Sequence, residues 1–273
     1  MNWIEVRQMI IDFHTHCFPD KLAPRAIPQL SHAAGGLVPC TDGTASGLLA
    51  CMEQDGITVS VVQNIATSPH QQRSVNGFAA ELNSERLVAF GSVHPDAEDV
   101  LDELDRIKEL GLKGVKFHPE YQGFDVDDPK MKPIYRKISR LGLIALFHAG
   151  YDYGFRAPYH CMPRQMAKAL LWFDSPVVAA HWGGLCCGEE VITHLCGLPL
   201  YFDLSFGYGT MPKAVAQEII ERHGVKKLLF GSDCPWHRPS LERHLLDSLE
   251  LTLAEQQDIY WNNGAALLGL KTV

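Results

Sequence analysis

Short apolar runs, each ending in a polar or charged residue, recur along the chain with amphipathic stretches between them. Eight of these runs read as strands: Met9–His16, Val59–Asn64, Leu87–His94, Leu112–His118, Leu143–His148, Val177–His181, Leu200–Ser205 and Lys227–Asp233. The stretches Thr44–Asp55, Asp96–Leu110, Pro129–Arg140, Met162–Phe173, Pro212–His223 and Pro239–Leu249 carry the spacing of surface helices. Asp96 and Ser240 are placed as N-caps, and Gly111, Gly142 and Gly224 follow helical runs where a left-handed C-cap is expected. Strands alternating with helices imply parallel pairing, and eight such units fit one closed (β/α)8 TIM barrel. An open doubly wound sheet is the rival, but no GxGxxG follows any strand. The rhythm fills residues 1–273 as a single domain. Residues 17–43, with Pro, Gly and Ser but little apolar periodicity, form a long loop after the first strand and a candidate lid.

Composition narrows the classes. The chain has 273 residues, 46% apolar and 21% charged, with a net charge of −8, which disfavours a nucleic-acid partner. No apolar run approaches the roughly 18 residues of a spanning helix. Glu5 and Arg7 interrupt the place where a secretory leader would have its apolar stretch. None of the eight cysteines falls in a CxxC pair, so reduced thiols in a cytoplasmic protein are expected. Cys17 and Cys234, close to the strand ends, are read as small lining residues because neither has an evident activating base.

Candidate chemistry gathers at the strand ends. Alternation in Ile10–His16 puts Asp12, His14 and His16 on one face. Two histidines at this spacing mean little alone. Yet His148 ends the fifth run, His181 the sixth and Asp233 the eighth, at the rim where barrel enzymes present catalytic groups. Imidazoles and a carboxylate without thiolates suit Zn²⁺ or another divalent first-row metal. His14, His16, His148 and Asp233 would hold one ion and leave a position for water, whose pKa it would lower to roughly 7. Asp233 would pass the proton on, and His181 would stand alongside to stabilise negative charge.

The fourth run leaves alternatives open. Val115 and Phe117 should face the helices, sending Lys116 and His118 inward. Lys116 would pair with Asp12, bind a substrate carboxylate, or, carbamylated, bridge two metals with His148 and His181 on the second. His94 is read as structural. The roles of His118 and Glu120 stay open, with His118 a candidate for substrate binding. Around the rim, Tyr151, Tyr153, Arg156, His160, Trp182, Trp236 and His237 would enclose a small acidic or ring-containing substrate, Arg156 gripping a carboxylate with its planar fork.

Asp12-Phe13-His14-Thr15-His16, Lys116-Phe117-His118-Pro119, His148-Ala149-Gly150, His181-Trp182-Gly183-Gly184 and Phe230-Gly231-Ser232-Asp233-Cys234-Pro235-Trp236 together resemble the amidohydrolase-related family. This branch of the amidohydrolase superfamily includes aminocarboxymuconate-semialdehyde decarboxylase. The resemblance implies a metal-dependent barrel, commonly with zinc. His14 and His16 would be its strand-1 ligands and His148 its strand-5 ligand. Asp233 would be the strand-8 ligand and proton carrier, and His181 the assisting strand-6 histidine.

The branch contains hydrolases and nonoxidative decarboxylases. Its decarboxylases often carry longer insertions, so the short chain leans toward a hydrolase of a small ester, lactone or amide. A carbon–carbon lyase on the same scaffold is the alternative, and a non-catalytic metal-bearing barrel is a third. An isologous dimer is the default assembly.

Overall fold

Eight short parallel strands close on themselves in the computed structural model, which describes residues 8–271. The strands are β1 (Ile11–Thr15), β2 (Val59–Gln63), β3 (Leu87–Phe90), β4 (Gly114–Phe117), β5 (Ile144–Phe147), β6 (Val177–Ala179), β7 (Tyr201–Asp203) and β8 (Leu228–Leu229). They form two ladders, β1-β2-β3 and β4-β5-β6-β7-β8. Bridges between Gly91 and Val115 and between Thr15 and Cys234 join the ladders at both seams. The fold is therefore the (β/α)8 barrel, with each strand inside the run that predicts it. Glu5 and Arg7 lie outside the described residues, and among those described no helix is long and apolar enough to cross a membrane.

Alternation sets the faces as expected on β4. Phe117 stacks on Phe147 at 5.0 Å and meets Tyr135 of the helix Lys132–Leu141 edge-on at 6.1 Å, so Lys116 points inward. On β1, Ile11 and Phe13 approach Gly264 of the C-terminal helix Asn263–Leu268, where an added Cβ would lie 3.3 and 3.4 Å from them. His14 takes the other side.

Several local expectations need correction. Residues 17–43 contain a helix, Ala23–Ala33, that hydrophobic periodicity misses because only Ala23 and Ile27 are buried and Pro28 lies inside it. The helix Gln72–Leu82 escapes for a different reason: its inward face is polar. Asn76 accepts from the Ser92 N–H and donates to the Ser92 carbonyl and Glu103. Neither N-cap is as expected. The helix Val100–Glu109 starts after Asp99 without a side-chain cap, and Pro239–Asp247 starts after Arg238. Ser240 instead donates its N–H to Asp55, 3.0 Å away. Gly111 and Gly142 adopt positive φ in the left-handed region, whereas Gly224 pairs φ 89° with ψ 133° and is no αL cap.

One buried histidine outside the site couples the fold to pH. His223 stacks on Phe202 at 3.9 Å, donates Nε2–H to the Leu200 carbonyl and accepts the Gly197 N–H at Nδ1. Burial pushes its pKa down to about 4, so the native state holds it neutral. An unfolded chain protonates it near pH 6.5. Its contribution is therefore complete above that pH and is lost as pH falls from 6.5 through 4, by about 3 kcal/mol. His223→Gln should lower the urea midpoint at pH 7, with the gap to wild type closing toward pH 4. A gap independent of pH would refute the assignment.

Candidate metal centre

His14 within β1, His16 directly after it and Asp233 in the segment after β8 come together. His14 Nε2 lies 3.4 Å and His16 Nε2 3.1 Å from Asp233 Oδ1. The other ring nitrogens are already used. His14 Nδ1 is 2.9 Å from Asp203 Oδ2, and His16 donates Nδ1–H to the Gln63 carbonyl at 2.8 Å. These partners fix both tautomers with bare Nε2 atoms facing the carboxylate. Burial, then the Lys116 charge, pushes His14 well below the ordinary imidazole range. Two unprotonated nitrogens and a carboxylate oxygen at such distances repel one another unless a cation lies among them. That donor set fits a divalent ion.

The backbone is strained at the residues that matter. Asp233 has φ 73° and His181 φ 57°, conformations that cost a non-glycine residue about 1–3 kcal/mol. Hydrogen bonds hold both in place. The Asp233 N–H donates to the His14 carbonyl at 2.8 Å, and the His181 N–H donates to Asp203 Oδ1 at 3.1 Å. Asp12 supports the same seam, accepting from the Ser232 hydroxyl and N–H. Burial raises Asp12 to about 8 despite these bonds.

His148 stands apart from that trio. Its Nε2 donates to the Tyr151 carbonyl at 2.9 Å, leaving Nδ1 to meet His181 Nε2 at 3.0 Å. Its ring also stacks on His118 at 4.2 Å, and His118 Nε2 is 3.2 Å from Asp152. Burial pushes His118 down to about 3. Lys116 does not pair with Asp12. Its Nζ lies 3.1 Å from His14 Nε2, and burial lowers its pKa to about 8, with Asp203 and Asp233 opposing the shift.

An open pocket of about 410 Å³ is lined by Ala34–Leu37, Tyr153, Phe206, Tyr208 and His237; none of His14, His16, His148, His181 and Asp233 lines it, and Phe206 links it to the cluster. Phe206 stacks on His237 at 4.7 Å and meets the His181 ring edge-on at 6.2 Å.

Other rim candidates lie elsewhere. Trp182 is buried against Gly207 and the helix layer, and Arg156 is exposed; neither lines this pocket. Tyr151 stacks its ring on Tyr159 and turns only its carbonyl to His148. Trp236 is half-buried, with its N–H on the Asp233 carbonyl. His160 pairs with Asp125 and donates its N–H to Glu120, while His94 Nδ1 accepts the Asp96 N–H. Burial pushes the Cys17 thiol up to about 12.

The residue with most connections in the site, Asp203, was overlooked in the sequence. It ends β7 and accepts from His14, His181, and the Ser205 N–H and hydroxyl; the same Ser205 Oγ is 2.8 Å from His181 Nδ1. A polar residue closing an apolar run was the signal that exposed Asp233, and it was equally present at Tyr201-Phe202-Asp203.

A closed parallel barrel with an imidazole–carboxylate cluster at the carboxyl ends of its strands is the layout of a barrel enzyme with residues that could hold a metal ion. The chain belongs to the amidohydrolase family, whose model matches residues 11–270, and it is an enzyme of that superfamily. No curated protein sequence matches it. Among solved structures, it resembles 2,6-dihydroxybenzoate decarboxylase complexed with 2,6-dihydroxybenzoate (15% identity, TM-score 0.70, 96% of this chain and 100% of that one). A dihydroxybenzoic acid decarboxylase from Polaromonas sp., with bound manganese and the inhibitor 2-nitroresorcinol, matches at 15% identity and TM-score 0.67 over 96% of each chain. A putative 2-pyrone-4,6-dicarboxylic acid hydrolase from Pseudomonas putida matches at 17% identity and TM-score 0.68, over 96% of this chain and 98% of that one.

Proposed function

We propose that the protein is a metal-dependent nonoxidative decarboxylase of a small hydroxylated aromatic carboxylate. The observation that carries this reading is the aromatic pocket beside the polar cluster. Phe206 and His237 offer a stacked face to a flat ring, and Tyr153 and Tyr208 frame it. The decarboxylases that share the fold, with the ligands named in their structures, support the same substrate class. The hydrolase expectation rested on a short chain, but the match spans 100% of the 2,6-dihydroxybenzoate decarboxylase chain, so length does not separate the two activities.

His14, His16 and Asp233 would hold zinc or another divalent first-row ion, and His148, the fourth ligand implied by the family resemblance, would join them only after releasing the Tyr151 carbonyl or His181. When bound, the ion supplies positive charge that orients the substrate oxygens and offsets charge developing on the ring. Asp233 would take a proton from solvent at Oδ2, the oxygen not turned to His14 and His16, and hand it to the ring carbon. Loss of carbon dioxide leaves the electron pair of the broken C–C bond on the ring carbon, which takes up one proton. His181, held at Nδ1 by Ser205, would turn its Nε2 from His148 to a ring hydroxyl. Lys116, with Nζ on the Nε2 side of His14, would stay an amine beside the ion rather than a carbamate bridging two ions, and the centre would be mononuclear. The enzyme would act on its small substrate in the cytoplasm, as a homodimer.

Protein loaded with manganese or zinc should release carbon dioxide from dihydroxybenzoates in D₂O and place deuterium at the vacated ring carbon. Turnover confined to a parallel panel of esters, lactones and amides would reject the proposal.

A further inference from the structure

Three cysteines far apart in the chain converge beside the centre. Cys40 lies in the segment after β1, Cys51 on the helix Ala45–Asp55 and Cys234 directly after Asp233. Their sulfur atoms all lie within 4.8 Å of one another, with Cys40 and Cys234 Sγ 3.7 Å apart. Cys51 and Cys234 are buried, whereas Cys40 is half-buried and leaves a route from solvent. The Cys40 N–H donates to the Pro235 carbonyl at 2.7 Å, so backbone as well as side chains holds the trio.

We propose that Cys40, Cys51 and Cys234 form a second metal site, for a three-coordinate thiophilic ion of the Cu(I) class. Geometry supports this directly. Three thiolates about 2.3 Å from a central ion stand about 4.0 Å apart in a trigonal plane, close to the spacing already present. The donor set is all sulfur, which selects soft ions. With no imidazole or carboxylate in the group, the tetrahedral shell that zinc prefers is not completed by protein. Arg238 lies nearby and pairs with Asp55 at 2.9 Å. Occupation would pin the segment after β1 to the loop that carries Asp233.

The site is independent of the proposed decarboxylation, and so is its test. Metal-free full-length protein is titrated anaerobically with Cu(I) supplied as its acetonitrile complex. Thiolate-to-copper absorption and X-ray absorption at the copper edge are the readouts. The expected result is saturation of the charge-transfer band at one equivalent, with a shell of three sulfurs. Cys51→Ser should weaken this binding at least 100-fold, while Cys196→Ser, outside the trio, leaves it intact. If Cys51→Ser loses its native circular dichroism, Cys40→Ser at the half-buried position carries the comparison. A shell containing nitrogen, a preference for Zn²⁺ over Cu(I), or a three-sulfur shell persisting in a folded Cys51→Ser or Cys40→Ser protein would overturn the proposal.

Discussion

Asp233→Asn should lower kcat for decarboxylation by about 10³-fold, within the 10²–10⁴ range that a positioned proton carrier contributes. Asparagine is the informative replacement because of the backbone. Asp233 has φ 73°, and Asn tolerates the left-handed region better than other residues of its size, so the strand end should keep its place. The amide keeps an oxygen to face His14 and His16, now 3.4 and 3.1 Å from Oδ1, but cannot shuttle a proton. Its charge is gone as well, so the bound-metal content should fall and must be restored by excess ion before rates are compared. If the metal-saturated variant retains more than a tenth of wild-type kcat, Asp233 is a ligand only, and another group must move the proton. Unchanged thermal unfolding in the metal-free state would show that the loss is chemical rather than structural.

The barrel was legible because its strands are apolar and end abruptly in ionisable side chains. Ile144-Ala145-Leu146-Phe147 followed by His148 can hardly be read otherwise. Asp233 was found by the same rule and His14 and His16 by alternation along the first strand, and the structure brings the three together. What the rule could not supply was the partner of each group. Tyr151 and Trp182 are aromatic neighbours of site residues in sequence, but one turns its ring to Tyr159 and the other packs into the helix layer. Loop conformation decides this, and His181 and Trp182 both have positive φ, which reverses the simple alternation of sides. The polar-faced helix Gln72–Leu82 was invisible to hydrophobic periodicity because Asn76 satisfies backbone groups at the end of β3 where an apolar residue would normally pack. The cysteine trio was hidden too, since Cys40 and Cys234 are 194 positions apart.

The second large effect concerns a group that touches no substrate. Asp203 is fully buried at the end of β7 and holds His14 Nδ1 at 2.9 Å, the His181 N–H at 3.1 Å and the Ser205 N–H at 3.2 Å. A carboxylate behind a metal-binding imidazole fixes its tautomer and raises its basicity, and losing such a partner typically weakens metal binding 10–100-fold. Asp203→Asn should therefore bind the divalent ion 10–100-fold more weakly. With its one oxygen kept on His14, its NH2 faces the His181 and Ser205 donors that Oδ1 now serves, so its urea midpoint should fall modestly while kcat recovers to within tenfold of wild type once metal is saturating. Asp203→Ala goes further, leaving the donors of His14, His181 and Ser205 buried without an acceptor, at about 1–3 kcal/mol for each group left unsatisfied. Its urea midpoint should fall even in the metal-free state, and added metal should not restore kcat, because nothing then fixes the imidazole or the left-handed turn at His181. The contrast with Asp233→Asn is the decisive measurement. Metal titration should rescue Asp203→Asn and fail to rescue Asp233→Asn, since one residue positions the site and the other carries its proton. If both variants respond to metal alike, Asp203 and Asp233 do not divide these roles.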